Sequence, residues 1–296
     1  MAFSSSDADE ALIRAIPLWQ GRPRLHPLSG GITNRNFLVV DQVRRAVVRL
    51  GGDIPVHGIL RFNELAASQA AAAAGISPAV LAAGPGYLVL DYIEGITLDA
   101  AGVRARREAC LTLVARAHRD MIGHLRGPLL AFNVFHVLRD YGHSLRAAGH
   151  RLQALLPGLA ADAARLERAA GPIDLVFGHN DLLAANFIDD GRRLWLVDWD
   201  YAGFSTPLFD LAGLSTNNGF SAAEDEAMLA AYFGTVDDHL RYRFRAVQCA
   251  SLLREAMWSM VSEVHSALPF DYVAYTAENL VRYEAALDLF LSLDAP

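Results

Sequence analysis

The sequence of 296 residues contains no lysine, and all 26 of its Lys or Arg positions are arginines. This absence excludes any mechanism that needs a lysine Schiff base and any nucleotide site in which a lysine ammonium holds a phosphate. The chain also has only two cysteines, Cys110 and Cys249. Two thiols argue against a disulfide framework and against a cysteine zinc cluster.

Positive charge is scarce as well, because 33 acidic residues outnumber the 26 basic ones and give a formal net charge of −7. Nucleic-acid-binding proteins usually carry a basic face, so we expect no nucleic-acid partner. Hydrophobic residues make up 53% of the chain. That fraction is enough for a sizeable core and excludes a disordered chain.

Long uninterrupted apolar segments are missing too. The start of the chain is polar and acidic, unlike the positive region of a signal peptide. The uncharged segment 65–90 is interrupted by glycine and proline, whereas a membrane helix needs about 20 predominantly apolar residues. We therefore expect no membrane insertion and a cytoplasmic protein. At about 150 residues per domain, the length predicts two lobes or one large domain.

The first 95 residues have the pattern of a small sheet with one helix. The β-branched runs 37–40 and 46–50 predict a β-hairpin, and 86–90 predicts a further strand. An alanine-rich segment from about 60 to 74 predicts a helix that ends at Gly75. Residues 91–95 are predicted to connect two lobes.

The remaining residues are mostly helical in pattern. Apolar periodicity predicts an amphipathic helix over 104–125 and two helices within 138–170 that break near Pro157-Gly158. A capping box at Ser221 and Glu224 opens a further helix. Two long closing helices are predicted over 241–264 and 272–291. One hairpin interrupts them, with strands at 186–188 and 194–197. The pattern as a whole predicts an α+β fold.

The strongest chemical signal is Asp181, followed by four residues and then Asn186, with Asp198 after the next hairpin. This is the spacing of the catalytic loop of kinase-type phosphotransferases. The aspartate accepts the proton of a substrate hydroxyl, and the asparagine and the second aspartate offer oxygens to magnesium. Aspartate and asparagine are also common in turns, which is how we interpret Asp189 and Asp190. Asp181 and Asp198 instead adjoin strongly apolar runs, which favours chemistry.

Residues 178–186 (GHNDLLAAN) and 196–203 (LVDWDYAG) resemble the choline/ethanolamine kinase branch of the aminoglycoside phosphotransferase superfamily. Four further segments resemble the same branch: 30–37, Val48-Arg49-Leu50 with Glu64, 207–212, and 254–258. Together the segments cover most of the chain, in the order of the family.

The resemblance implies a two-lobed, protein-kinase-like fold with a nucleotide-binding lobe at 1–94 and a larger catalytic and substrate-binding helical lobe at 95–296. It implies ATP and Mg²⁺ as cofactors and an ATP-dependent small-molecule kinase activity. The implied roles are general base for Asp181, magnesium ligands for Asn186 and Asp198, and an ATP-binding pair for Arg49 and Glu64.

Two features depart from the wider superfamily. The turn at 29–34 lacks the G-x-G-x-x-G pattern of protein kinases, so a nucleotide-binding role for Asn34 rests on the resemblance. Arg49 stands where many members have lysine, and its planar fork can contact two phosphate oxygens at once. We expect His179 and Asp210 to hold the catalytic loop through hydrogen bonds.

Acidic and aromatic residues surround the predicted site, which suits a cationic alcohol because aromatic faces hold quaternary ammonium groups. We predict that Asp200, Tyr201 and Trp258 contribute to the substrate site, although Asp200 is equally open to a structural or metal-linked role. Aromatic residues on a helix are also frequent core residues, and this alternative remains open for Trp258.

Three functional hypotheses follow. The first is ATP-dependent phosphorylation of choline, or of ethanolamine. The second is a sister kinase that acts on thiamine or an aminoglycoside. The third is a catalytically inactive nucleotide-binding protein, against which the intact Asp181, Asn186 and Asp198 argue. The sequence leaves open the identity of the alcohol, the number of magnesium ions, and whether the chain forms a homodimer.

Overall fold

A computed structural model describes residues 6–28, 34–266, 268 and 270–293 of the chain. The turn at 29–33, which the sequence places next to the nucleotide, lies outside the described residues. None of the helices among the described residues is both long and apolar enough to cross a membrane.

The N-terminal part is an antiparallel sheet of five strands with two helices. The strands lie in the order β1-β2-β3-β5-β4, and their bounds are Arg24–Leu28 (β1), Arg35–Val40 (β2), Arg45–Leu50 (β3), Val80–Gly84 (β4) and Tyr87–Asp91 (β5). Side chains alternate along β2 and β3, so Phe37, Val39 and Val48 are buried on one face. The first helix, α1 (Asp7–Ala15), adds Ile13 to this core. The second helix, α2 (Arg61–Ala73), follows β3 in the chain.

The C-terminal part is mainly helical. Its helices are α3 (Ala100–Ala105), α4 (Arg107–Asp120), α5 (Val134–Ala147), α6 (Leu156–Ala170), α7 (Pro207–Asn218), α8 (Ala222–Phe233), α9 (Asp238–His265) and α10 (Tyr272–Leu291). Helix α9 packs against α5, α6, α7 and α10, and most residues in its second half are buried. It is therefore the central element to which the other helices attach.

Short strands between α6 and α7 carry the predicted catalytic loop. Strands β7 (Val176–Gly178) and β10 (Gly203–Ser205) pair with each other, and β8 (Phe187–Asp189) pairs with both β6 (Ile96–Thr97) and β9 (Leu194–Leu196). Gly95 in the connector lies so close to β8 that an added Cβ would be 2.6 Å from the Asp189 carbonyl oxygen. A glycine is required for this approach of the connector to the loop strands.

The structure confirms the predicted α+β class and corrects two helix boundaries. The two helices predicted within 138–170 are present as α5 and α6, and Pro157 lies in the first turn of α6, where its missing N–H has no partner to lose. The chain breaks earlier, where Gly149 has a φ of 62°. The predicted helix over 104–125 is interrupted at Arg106 and ends as an α-helix at Asp120. The division into lobes between residues 94 and 95 stays a prediction.

Candidate active site

The loop between β7 and β8 brings Asp181, Asn186 and Asp198 together. The Asn186 side-chain Nδ2 donates to the Asp181 carbonyl oxygen at 2.8 Å. The Asn186 carbonyl oxygen accepts the N–H of Val197 at 3.0 Å. The first bond closes the loop on itself, and the second joins it to the chain just before Asp198. The five-residue spacing between Asp181 and Asn186 thus produces the compact turn that the sequence predicts.

The carboxylate of Asp181 is half-buried and accepts no hydrogen bond from any residue that the structure describes. Burial raises the pKa of Asp181 to about 8, and Glu255 and Asp198 add to the increase while Arg254 opposes it. A carboxylate with a raised pKa and unused oxygens is suited to accept a proton from a hydroxyl.

Asn186 and Asp198 are the two predicted magnesium ligands, and the Asn186 carbonyl oxygen bonds to the residue just before Asp198. Asp198 has a φ of 72°, which few residues other than glycine, asparagine and aspartate adopt. The Asp198 side chain is 23% exposed, whereas Asn186 is buried. Carboxylate and amide oxygens fit Mg²⁺, which prefers oxygen ligands and commonly shares them with nucleotide phosphates. The donor set therefore suits the predicted cofactor.

Arg49 on β3 contacts three carboxylates, two of which, Asp198 and Asp200, belong to the C-terminal part of the molecule. Its Nη2 lies 2.6 Å from Asp198 and 3.0 Å from Asp200, and its Nε lies 2.9 Å from Glu64. Burial alone would lower the pKa of Arg49, but the three carboxylates raise it well above its ordinary value. The structure thus places Arg49 and Glu64 in direct contact, next to the predicted metal ligand.

Arg61 completes this group of charges and was not predicted. Its Nη1 lies 2.6 Å from Glu64 and 2.9 Å from Asp200. Asn34 donates to the other Asp200 oxygen at 2.8 Å. We refer to Arg49, Arg61, Glu64, Asp198 and Asp200 as the arginine cluster. The sequence signal for Arg61 was its position three residues before Glu64 at the start of a helix, where side chains are neighbours.

The predicted substrate residue Asp200 lies inside the arginine cluster and is 3% exposed. Both of its oxygens accept hydrogen bonds, from Arg49, Arg61 and Asn34. In this arrangement its carboxylate orients the two arginines. The structure does not bring Asp200 onto an open substrate surface.

His179 and Asp210 support the loop from beneath. Asp210 accepts the N–H groups of His179 and Asn180 at 2.8 and 2.6 Å, and it contacts the Nε2 of His118 at 2.8 Å. Burial would raise the pKa of Asp210, but its partners, His118 foremost, lower it. His179 bonds through Nε2 to the Val197 carbonyl oxygen at 3.0 Å. Burial lowers the pKa of His179, which favours a neutral ring.

Tyr201 and Trp258 contact each other on the helical side of the site. The Trp258 Nε1 donates to the Tyr201 hydroxyl at 2.8 Å, and both side chains are more than nine-tenths buried. The guanidinium of Arg254 lies 4.4 Å from the centre of the Tyr201 ring. Trp258 therefore has the burial of a core residue in addition to its position near the site.

An unpredicted carboxylate, Glu255, lies in the same region. One of its oxygens accepts Arg254 Nη1 at 3.0 Å, and the other accepts the Tyr275 hydroxyl at 2.8 Å. The Nε and Nη2 atoms of Arg254 are buried without a hydrogen-bond partner among the described residues. His57 also reaches this region, from the other side of the molecule, and no spacing in the sequence marks it.

This chain is similar to known phosphotransferases. The model of the APH phosphotransferase enzyme family matches residues 24–245. Mouse ethanolamine kinase 2 is 25% identical over 319 residues, covering 96% of this chain and 82% of its own length.

Two solved structures are also similar over nearly their whole length. A choline/ethanolamine kinase family protein from Mesorhizobium loti has 30% identity and a TM-score of 0.78, covering 95% of this chain and 94% of that one. The choline kinase LicA from Streptococcus pneumoniae has 22% identity and a TM-score of 0.72, covering 89% and 94%. The predicted two-lobed, kinase-like fold is confirmed. The chain belongs to the APH phosphotransferase enzyme family and, within it, to the choline/ethanolamine kinase family.

Proposed function

We propose that this protein transfers the terminal phosphoryl group of ATP to the hydroxyl of choline or ethanolamine, with Asp181 as the base. One observation carries the proposal: Asp181 offers unused carboxylate oxygens on a loop closed by Asn186 and adjacent to Asp198. The similar proteins named above include an ethanolamine kinase and a choline kinase, which indicates the class of alcohol.

Each group in the site then has a part in the transfer. Asp181 accepts the hydroxyl proton as the alcohol oxygen attacks. Asn186 and Asp198 hold Mg²⁺, which when bound neutralises charge on the transferred group. Arg49 turns its planar donors to the phosphate oxygens, while Glu64 keeps it oriented. His179 and Asp210 keep the loop in place. We assign the nucleotide to residues 1–94 and the alcohol mainly to 95–296.

The side chains around the proposed alcohol site favour a cationic alcohol over a neutral one. Glu255 places a carboxylate near Asp181, the Tyr275 hydroxyl bonds to that carboxylate, and the ring of Trp258 lies edge-on to the ring of Tyr275. An ammonium group gains from both, because ring faces attract cations and a carboxylate compensates the charge.

The test is a screen in which ADP release is measured with choline, ethanolamine, thiamine and kanamycin, and the products are identified by phosphorus NMR. We expect kcat/KM to be highest for choline or ethanolamine, with phosphate on their hydroxyl. A preference for thiamine or kanamycin would make the protein a sister kinase. Nucleotide binding without turnover of any of the four alcohols would contradict the proposal and favour an inactive protein.

A further inference from the structure

His57 belongs to the N-terminal part of the chain but lies against the substrate side of the helical part. It ends the short 3-10 turn Pro55–His57, which follows β3 and precedes α2. Its Nδ1 lies 3.0 Å from the Tyr141 hydroxyl on α5, and its Nε2 lies 3.1 Å from the Ser262 hydroxyl on α9. The ring is therefore fixed at both nitrogens by two different helices.

His57 also lies over the ring of Trp258. The two ring centres are 5.2 Å apart, with an angle of 31° between the planes. Burial lowers the pKa of His57 to about 3, and the nearby Arg254 acts in the same direction. The imidazole is thus a neutral, rigid surface that does not repel a cation beside it.

Two cavities meet at this residue. The first has a volume of about 270 Å³ and is lined by Asn34, Asp53, Trp258 and Tyr272 among others. The second has a volume of about 260 Å³ and is lined by Tyr141, Tyr201, Asp140 and Leu130 among others. Val56 and His57 line both cavities, so these two side chains lie between them.

The volumes of the two cavities indicate what Val56 and His57 do between them. Pockets for drug-sized ligands measure roughly 300–1,000 Å³, and each cavity alone is smaller than that range. A small alcohol is matched to one cavity, whereas the two joined would accept a much larger one. The first cavity contains the ring of Trp258, the residue proposed above for the ammonium group, so we assign the small cationic alcohol to it.

We propose that His57, together with Val56, forms a wall between the first cavity, which contains Trp258, and the second cavity, which contains Tyr141. This wall sets the upper size of the cationic alcohol. The inference rests on the proposed function for the identity of the substrate, but the wall itself is a property of ligand binding. It predicts that removing the imidazole lets the substituent on the ammonium nitrogen extend into the second cavity.

The experiment compares the wild type with His57→Ala, His57→Phe and the control His143→Ala, which removes an exposed imidazole from α5. Choline and its N-benzyl homologue are the substrates. Relative to choline, His57→Ala should improve kcat/KM for the benzyl homologue about tenfold, with the KM for ATP unchanged. His57→Phe restores a ring without the hydrogen bonds, so it should keep the wild-type preference. Melting temperatures identify any variant that fails to fold.

Calorimetry with tetramethylammonium and benzyltrimethylammonium gives a second measurement that needs no turnover. The ratio of the two dissociation constants should shift about tenfold in His57→Ala, which corresponds to about 1.4 kcal/mol. An unchanged ratio in folded His57→Ala would overturn the wall, even where choline is phosphorylated normally. A shifted ratio in a protein that phosphorylates none of the alcohols would overturn the proposed function and leave the wall intact.

Discussion

Arg49 and Asp198 form an ion pair of 2.6 Å, so the predicted phosphate-binding residue and the predicted magnesium ligand are bound to each other. The two residues are 149 positions apart and come from β3 and from the segment after β9. A nucleotide with its metal carries both a cation for Asp198 and anions for Arg49. Binding of the nucleotide and its metal can therefore replace the Arg49–Asp198 contact with one contact to a phosphate and one to the metal.

Replacing Asp181 by asparagine should lower kcat by about 10² to 10⁴, because the amide cannot accept the hydroxyl proton. ATP affinity and melting temperature should change little, since the carboxylate accepts no hydrogen bond from the described residues. Steady-state kinetics and nucleotide titration measure the two effects. Asp174→Asn, on an exposed segment, is the matched control. Near wild-type turnover in Asp181→Asn would show that another group is the base.

Asn186→Ala and Asp198→Asn should each raise the magnesium concentration that gives half-maximal activity, because each weakens or removes one oxygen ligand. Asparagine is chosen at position 198 because it tolerates the positive φ of 72° found there. Activity is measured against total magnesium at saturating ATP, with Asp174→Asn again as the control. Titration curves that coincide with the wild type in both variants would remove the metal assignment.

Arg49→Lys should weaken ATP binding while the KM for the alcohol stays nearly constant, because a point charge cannot replace a bidentate fork. Arg49→Ala should in addition lower the free energy of unfolding by about 3–5 kcal/mol, since it leaves the buried Glu64 and Asp200 with less compensation. Arg139→Lys, in a surface ion pair with Glu167, is the control and should change neither quantity. If both variants at position 49 bind ATP as tightly as the wild type, Arg49 does not contact the nucleotide.

Trp258→Ala should raise the KM for choline by about tenfold for each 1.4 kcal/mol of binding energy lost, with little change in the KM for ATP. It should also lower the melting temperature, because the indole is buried and bonded to Tyr201. Trp258→Phe should have milder effects, as it keeps a ring face. Trp19→Phe, which loses an indole hydrogen bond to Ile13 far from the site, is the control. Lost stability with an unchanged choline KM would make Trp258 a core residue only.

Asp210→Asn should destabilise the protein at neutral pH by several kcal/mol, because the carboxylate compensates three donors in a buried site. The folded protein lowers the pKa of Asp210 below its ordinary value of 3.8. A lowered pKa stabilises the folded state above pH 3.8, and the contribution is lost as the pH falls through the folded value. The difference in unfolding free energy between wild type and variant should thus be constant from pH 7 to about 5 and shrink below 4. Urea unfolding across this range measures it, and a difference that grows on acidification would contradict the assignment.

Local patterns predicted the parts of the fold that depend on local interactions. The capping box at Ser221 and Glu224 is present, and α2 and α10 agree closely with their predicted ranges, because capping and helical periodicity involve residues at most four apart. The same locality explains why the break predicted near Pro157 lies a few residues too late. A proline marks a helix boundary, and only the structure shows that Pro157 lies in the first turn of α6 and that the break before it begins near Gly149.

The sequence by itself determined the residue pattern on which the proposed chemistry depends: the Asp181 to Asn186 spacing, Asp198 after a hairpin, and arginine where lysine is absent all follow from residue identity and short separations. The tertiary structure alone decided which distant groups meet. Asp200 lies between Arg49 and Arg61, and His57 bonds to Tyr141 and Ser262 on two helices of the C-terminal part. Such contacts depend on packing between elements far apart in the chain, and periodicity carries no information about them.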